Sequence, residues 1–329
     1  MMTVLELRHL RRAWRIGLWL LAGMLMFGCA APPQSSDDVG KQALFTHWST
    51  LTGARVSARP DPMSVAAPIP NFSGNLQFLL PAAVAARGNY IYVADSGRRQ
   101  IFRYDTAQQS MTPFASYASG GIGNIAVASD LSLYVADIST QKVWHISVNG
   151  SPPRSFDNAL EISRPVAVLV EASNGQVLVA DSLRNHVVVF NSLGRVVSVL
   201  RSDEARSIEA MASGPDGLYL VDRVGRKIVV ISKDGRDRYT LGGGDLKQPG
   251  VIAVDRFNRV FVSDSFDNTI KVFESGKLLA SFAGGGAVPP SFNRITGLWL
   301  DQNMLYVADS LHARVQTFRI APQRKAPAS

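Results

Sequence analysis

Ile91-Tyr92-Val93-Ala94-Asp95 is the first of six copies of one phrase in this chain of 329 residues. It returns as Leu133-Tyr134-Val135-Ala136-Asp137, Val177-Leu178-Val179-Ala180-Asp181, Leu218-Tyr219-Leu220-Val221-Asp222, Val260-Phe261-Val262-Ser263-Asp264 and Leu305-Tyr306-Val307-Ala308-Asp309. Successive Asp numbers differ by 42, 44, 41, 42 and 45 residues. A period this steady defines a repeat architecture. Each phrase is a short β-branched and aromatic run ended by a polar turn, the pattern of a strand buried on both faces.

The flanks of each phrase supply more strands. An apolar run precedes it, as in Pro165-Val166-Ala167-Val168-Leu169-Val170 or Thr296-Gly297-Leu298-Trp299-Leu300, and pairs such as Asn174-Gly175 and Asp216-Gly217 mark the turn between the two. After the Asp, a polar turn leads into a third run starting at Ile101, Val143, Val187, Ile228, Ile270 and Val315. Hairpin signals follow at Asn149-Gly150, Leu193-Gly194, Asp234-Gly235 and Ser275-Gly276, then a fourth run such as Val196–Leu200. Four strands in about 42 residues make one propeller blade. The chain is therefore expected to be all-β, a six-bladed β-propeller with four antiparallel strands per blade over residues 75–320. No sustained 3.6-residue period supports a helical repeat.

The last copy ends on its third strand, Arg314–Ile320, and the polar residues 321–329 read as a disordered tail. An open sheet edge invites association. A segment within residues 42–74 is thus expected to close the ring, either Met63–Ala67, the favoured choice because it follows Pro60-Asp61-Pro62, or Phe45–Leu51.

The N-terminus reads as an address. Arg8, Arg11, Arg12 and Arg15 precede a 12-residue apolar run, Ile16–Phe27, too short for the ~20 residues a spanning helix needs. That makes residues 1–28 a signal peptide, and the Pro- and Ser-rich residues 29–41 a flexible tether. Of the net charge of +8, +3 lies in residues 1–28. The remaining +5 is moderately basic and no nucleic-acid signature. The single cysteine, Cys29, excludes an intramolecular disulfide.

Two resemblances add to this reading. Leu25-Met26-Phe27-Gly28-Cys29 resembles the lipobox of bacterial lipoproteins, which implies cleavage before Cys29, acylation there, and attachment to a membrane through the acyl chains. Ala30 after the cysteine implies an outer membrane facing the periplasm rather than the inner membrane. Asp181-Ser182-Leu183-Arg184-Asn185-His186-Val187-Val188-Val189-Phe190 and Asp264-Ser265-Phe266-Asp267-Asn268-Thr269-Ile270-Lys271-Val272-Phe273 resemble the NHL repeat, whose members usually close as six-bladed rings. Ile138 and Arg223 depart from its Ser after Asp.

The recurring Asp95, Asp137, Asp181, Asp222, Asp264 and Asp309 read as structural acceptors of backbone N–H groups, since a residue present in every blade serves every blade. The neighbour five positions on (Gln100, Lys142, His186, Lys227, Thr269, Arg314) is expected to assist. Function should lie where copies differ. The turns after the second strands carry Arg98, Arg99, Arg184, Arg223 and Arg226, with His312, a basic rim suited to a carboxylate, phosphate or acidic protein surface. The export signal argues against RNA, which some NHL propellers bind on this face.

No nucleophile–base arrangement, phosphate loop or histidine pair at ligand spacing is legible. A binding scaffold for a protein, peptide or glycan, without catalytic residues, metal or cofactor, is therefore expected. The alternative is a periplasmic metal-dependent hydrolase or lyase of the lactonase or strictosidine-synthase-like type, with calcium or zinc at the axis and Glu209 and Asn124 as candidate ligands.

Overall fold

The computed structural model describes residues 44–56, 74–117, 121–286 and 290–322. The expected signal peptide (1–28), Cys29, the expected tether, Met63–Ala67 and all but the first two residues of the expected tail lie outside them.

Six sheets follow the six phrases, each built on four antiparallel blade strands. Blade one is built from Pro81–Arg87, Tyr90–Asp95, Gln100–Asp105 and Ser110–Ser116, innermost strand first. Blade two runs Ile122–Val127, Leu133–Asp137, Lys142–Ile146 and Arg154–Phe156. Blade three runs Pro165–Val170, Val177–Asp181, His186–Phe190 and Val196–Leu200. Blade four comprises Ile208–Gly214, Gly217–Asp222, Lys227–Ile231 and Asp237–Leu241. Blade five comprises Pro249–Val254, Val260–Asp264, Thr269–Glu274 and Lys277–Phe282. Blade six has Ile295–Asp301, Met304–Asp309 and Arg314–Ile320, and takes its outermost strand from the start of the described chain, Phe45–Leu51. Each innermost strand packs on the next around the circle, and that of blade six packs on that of blade one. The fold is a six-bladed β-propeller.

The two-faced burial of the second strands has a direct cause. A blade buries one face against the blade before it and the other against the blade after it. Apolar clusters accordingly fill each of the six blade interfaces, for example Leu178, Val187, Met211 and Leu220 between blades three and four. The second strands Leu133–Asp137, Val177–Asp181 and Val260–Asp264 are buried at every position. Removing such surface from water is the main force holding the wedges together.

The closing strand is Phe45–Leu51, not the favoured Met63–Ala67. Phe45 pairs with Ile320 in the ladder, is buried, and stacks on Phe282 of blade five with ring centroids 4.1 Å apart. Phe261 and Phe318 meet it edge-on at 5.9 and 6.4 Å. An aromatic strand-former thus fills the seam between blades five and six, and each such pair adds about 0.5–1.5 kcal/mol beyond area burial. Beyond this strand the chain crosses to blade one. There Gly53–Val56 lies parallel against Ser110–Ser116 and pairs with Asn75–Gln77 on its other side. Gly53 has φ 150°, and a Cβ there would fall 1.9 Å from the Leu76 carbonyl oxygen. Only glycine fits that crossing.

Candidate binding faces

The geometry around the repeated Asp is common to the blades. The residue after each Asp donates its amide to the residue just before the blade's innermost strand: Ser96 to Leu80, Ile138 to Gly121, Ser182 to Arg164, Arg223 to Ser207, Ser265 to Gln248 and Ser310 to Arg294. In blades one, three, four and five the carboxylate also ties the two connections together, accepting backbone amides from both. Asp95 accepts the amides of Leu79, Leu80 and Arg98. Asp181 accepts those of Ser163, Arg164, Leu183 and Arg184, and Asp222 those of Arg206, Ser207 and Gly225. Asp137 accepts the Ser139 and Thr140 amides within its own turn. All six carboxylates are buried.

Among the described residues, the side chain five positions on assists once. Arg314 Nε donates to Asp309 at 2.8 Å. Lys142 pairs instead with Asp157, Lys227 with Glu204, and Thr269 with Asp267, while His186 Nε2 lies 2.7 Å from the Glu161 carbonyl. In blade five the cation comes from seven positions on: Lys271 Nζ lies 2.7 Å from Asp264. Burial works to raise the Asp264 carboxyl, but hydrogen bonds from Lys271 and from the Lys247, Gln248 and Phe266 amides outweigh it. The group is held below the usual carboxylate range.

Each turn ends four residues after its Asp in a left-handed residue: Arg99, Gln141, Asn185, Arg226, Asn268 and Ala313, with φ between 50° and 57°. The two asparagines reach the next blade's connection, Asn185 Oδ1 accepting the Ile208 amide and Asn268 Oδ1 accepting that of Arg294.

These turns share one face of the ring with the connections that lead into the innermost strands. Of the arginines expected to form a basic rim, Arg99 and Arg226 are exposed at those left-handed positions. Arg98 is half-buried and its Nε donates to the Gln77 carbonyl. Arg184 is exposed but bonded to Ser163 Oγ and the Ala159 carbonyl. Arg223 is paired with Glu209 at 2.8 Å, and His312 Nδ1 lies 2.8 Å from Asp309. The cations are therefore distributed around the rim, partly engaged, rather than gathered at one point.

The same face carries a feature the sequence reading passed over. Two residues after the Asp stand Leu183, Val224, Phe266 and Leu311 in four successive blades, with 71, 65, 67 and 53% of their surfaces exposed. Leu160, Leu79 and Leu80, in the connections that lead into blades three and one, add to them. The signal was available by aligning the copies on their Asp.

The innermost strands carry a bulge near their first residue in every blade, leaving Ala82, Gly123, Val166, Glu209, Gly250 with Val251, and Thr296 out of register. Glu209 is the one ionisable residue among them, and Arg223 holds it. Asn124 Oδ1 is 3.4 Å from the Val168 amide of the next blade. Among the described residues no three His, Cys, Asp or Glu side chains come together as a metal ion would require.

The fold has clear counterparts among solved structures. A virginiamycin B lyase from Staphylococcus aureus superposes with a TM-score of 0.59 at 10% identity, covering 84% of this chain and all of the other. A streptogramin B lyase gives 0.57 at 11% identity, covering 85% of this chain and 99% of that one. A protein of unknown function from Bacteroides thetaiotaomicron gives 0.62 at 15% identity, over 83% and 77% of the two chains. At these identities the likeness is one of fold. No family model and no curated protein matches the sequence.

Proposed function

We propose that this chain is a non-catalytic binding module of NHL-like type, held to the cell envelope by acylation at Cys29, which offers the aspartate-turn face of its propeller to a protein partner. One observation carries the reading: Leu183, Val224, Phe266 and Leu311 put large apolar side chains into solvent at one equivalent position in four consecutive blades. Scattered exposed apolar residues are ordinary, but a group of them on one face marks an interaction surface. Arg99 and Arg226 among them favour a partner with an apolar centre and an acidic rim.

The test is capture from detergent-solubilised membranes with the full chain, comparing wild type with Leu183→Ser/Phe266→Ser and with Arg99→Glu/Arg226→Glu. Loss of the same captured protein in both variants, with unchanged thermal melting, supports the reading. Capture unaffected by either variant removes this face from consideration. Release of the protein from membranes by Cys29→Ser tests the anchor separately.

The hydrolase or lyase alternative draws on the fold likeness and on Glu209. Its carboxylate is already neutralised by Arg223, which favours the binding reading. Stoichiometric calcium or zinc in the purified protein, lost with Glu209→Gln, would reverse that preference.

A further inference from the structure

The opposite face of the ring, where first strands turn into second strands and third into fourth, has a cleft at each of two blade junctions. The cleft at the junction of blades four and five is the smaller of the two, about 270 Å³, and its lining side chains bond to one another. The Asp216 carboxylate accepts the Tyr239 hydroxyl at 2.5 Å and the Asn258 amide at 2.7 Å, while the Tyr219 hydroxyl donates to Asn258.

The junction of blades six and one is built on the same register but left open. Tyr306 pairs with Thr317 and Thr317 with Ser49, as Tyr219 pairs with Val230 and Val230 with Tyr239. Ser49 therefore stands where Tyr239 stands, and Asn303 occupies the turn position of Asp216. The shorter Ser49 leaves a cleft of about 430 Å³. Tyr92 and Tyr219 spend their hydroxyls on the Leu131 carbonyl and on Asn258 of the following blade. Tyr306 lines the open cleft, and its hydroxyl has no hydrogen-bond partner among the described residues. Burial and the Asp301 carboxylate keep it protonated, as a donor.

The closing strand is bulged between His47 and Ser49, and a bulge re-aims the side chain it carries. That side chain is Trp48, which is 58% exposed and lines the cleft with the Arg319 guanidinium 4.2 Å from its ring centroid. Arg319 has no carboxylate partner among the described residues.

We propose that this cleft is a binding site for an acidic sugar of one or two rings. The indole offers a flat apolar surface for the C–H face of a pyranose. Tyr306, Thr106, Thr317 and Asn303 supply hydroxyl-directed hydrogen bonds, and Arg319 takes the carboxylate. The volume falls within the range of small-ligand sites, about 300–1,000 Å³. The proposal is independent of the aspartate-turn face, which lies on the other side of the ring.

The experiment is calorimetric titration of the full chain with galacturonate and digalacturonate, with glucose and maltose as neutral comparators. Saturable binding of the uronates, weakened at least tenfold by Trp48→Ala and by Tyr306→Phe, is expected. Arg319→Gln should abolish the preference over the neutral sugars. The exposure of Trp48 and Arg319 leaves folding intact, checked by thermal melting, and Leu183→Ser/Phe266→Ser should bind as wild type does. Absence of saturable binding, equal affinity for maltose, or binding indifferent to Trp48→Ala and Arg319→Gln each overturns the proposal.

Discussion

Lys271 Nζ lies 2.7 Å from Asp264 Oδ2, and both side chains are almost wholly withdrawn from solvent, 7 and 0% exposed. The Asp245 carbonyl, also at 2.7 Å, takes a second ammonium proton. A cation so placed completes the hydrogen bonding of a carboxylate that already ties two backbone connections. Its removal leaves a buried charge with one partner fewer. Lys271→Ala is expected to lower stability by about 3–5 kcal/mol, read from denaturant unfolding at neutral pH. A loss below about 1 kcal/mol would mean that the backbone amides alone satisfy Asp264.

The same carboxylate sets a pH dependence. Its folded pKa is depressed, so its contribution is complete above the unfolded value of about 4 and is lost as the pH falls through the folded one. Unfolding midpoints taken from neutral pH to about pH 2.5 should fall on the acid side, and Asp264→Asn should shallow that limb. An unchanged acid limb in the variant would assign the effect to other carboxylates.

Phe45 holds the ring shut. Phe45→Ala removes the stacking on Phe282 and empties the seam it shares with Phe318, for an expected loss of about 3–5 kcal/mol. Deleting residues 44–51 should go further, exposing the free edge of Arg314–Ile320 and producing oligomers by size-exclusion chromatography. A monomeric, wild-type-stable deletion would show that another segment can take the place of this strand.

The left-handed turn positions give a prediction of opposite sign. Arg226 holds φ 52° where Asn185 and Asn268 stand in blades three and five. Asparagine tolerates this conformation better than arginine, so Arg226→Asn is expected to raise stability by about 1 kcal/mol. Thermal melting checks it, and a decrease would mean that the arginine makes up for its backbone cost elsewhere.

Much of the architecture was legible because a blade repeats its constraints. The Tyr-Val-Ala-Asp runs declare strands buried on both sides, and the count of six follows from reading them in register. Ring closure was harder to read. Met63–Ala67 and Phe45–Leu51 both look like strands locally. The choice rests on Phe45 finding Phe261, Phe282 and Phe318, which are distant in sequence. The basic rim was visible as a list of arginines. That Arg98, Arg184 and Arg223 would be engaged by carbonyls, a hydroxyl and Glu209 depended on the connections folding beside them. The cleft at blades six and one is not legible in the sequence for a related reason, since Trp48 and Arg319 meet through the closing ladder.

Closure by Phe45–Leu51 also orders events in time. The residues that complete blade six are made before any blade, yet their partner Arg314–Ile320 is made after all the others. Until the final repeat emerges, the aromatic seam has one wall and the early strand has nothing to pair with. Closing the ring therefore requires the two extremities of the described chain to meet, a long-range step that is slow by its topology. Any chain cut short before Arg314 would leave the cell with five good wedges and no circle.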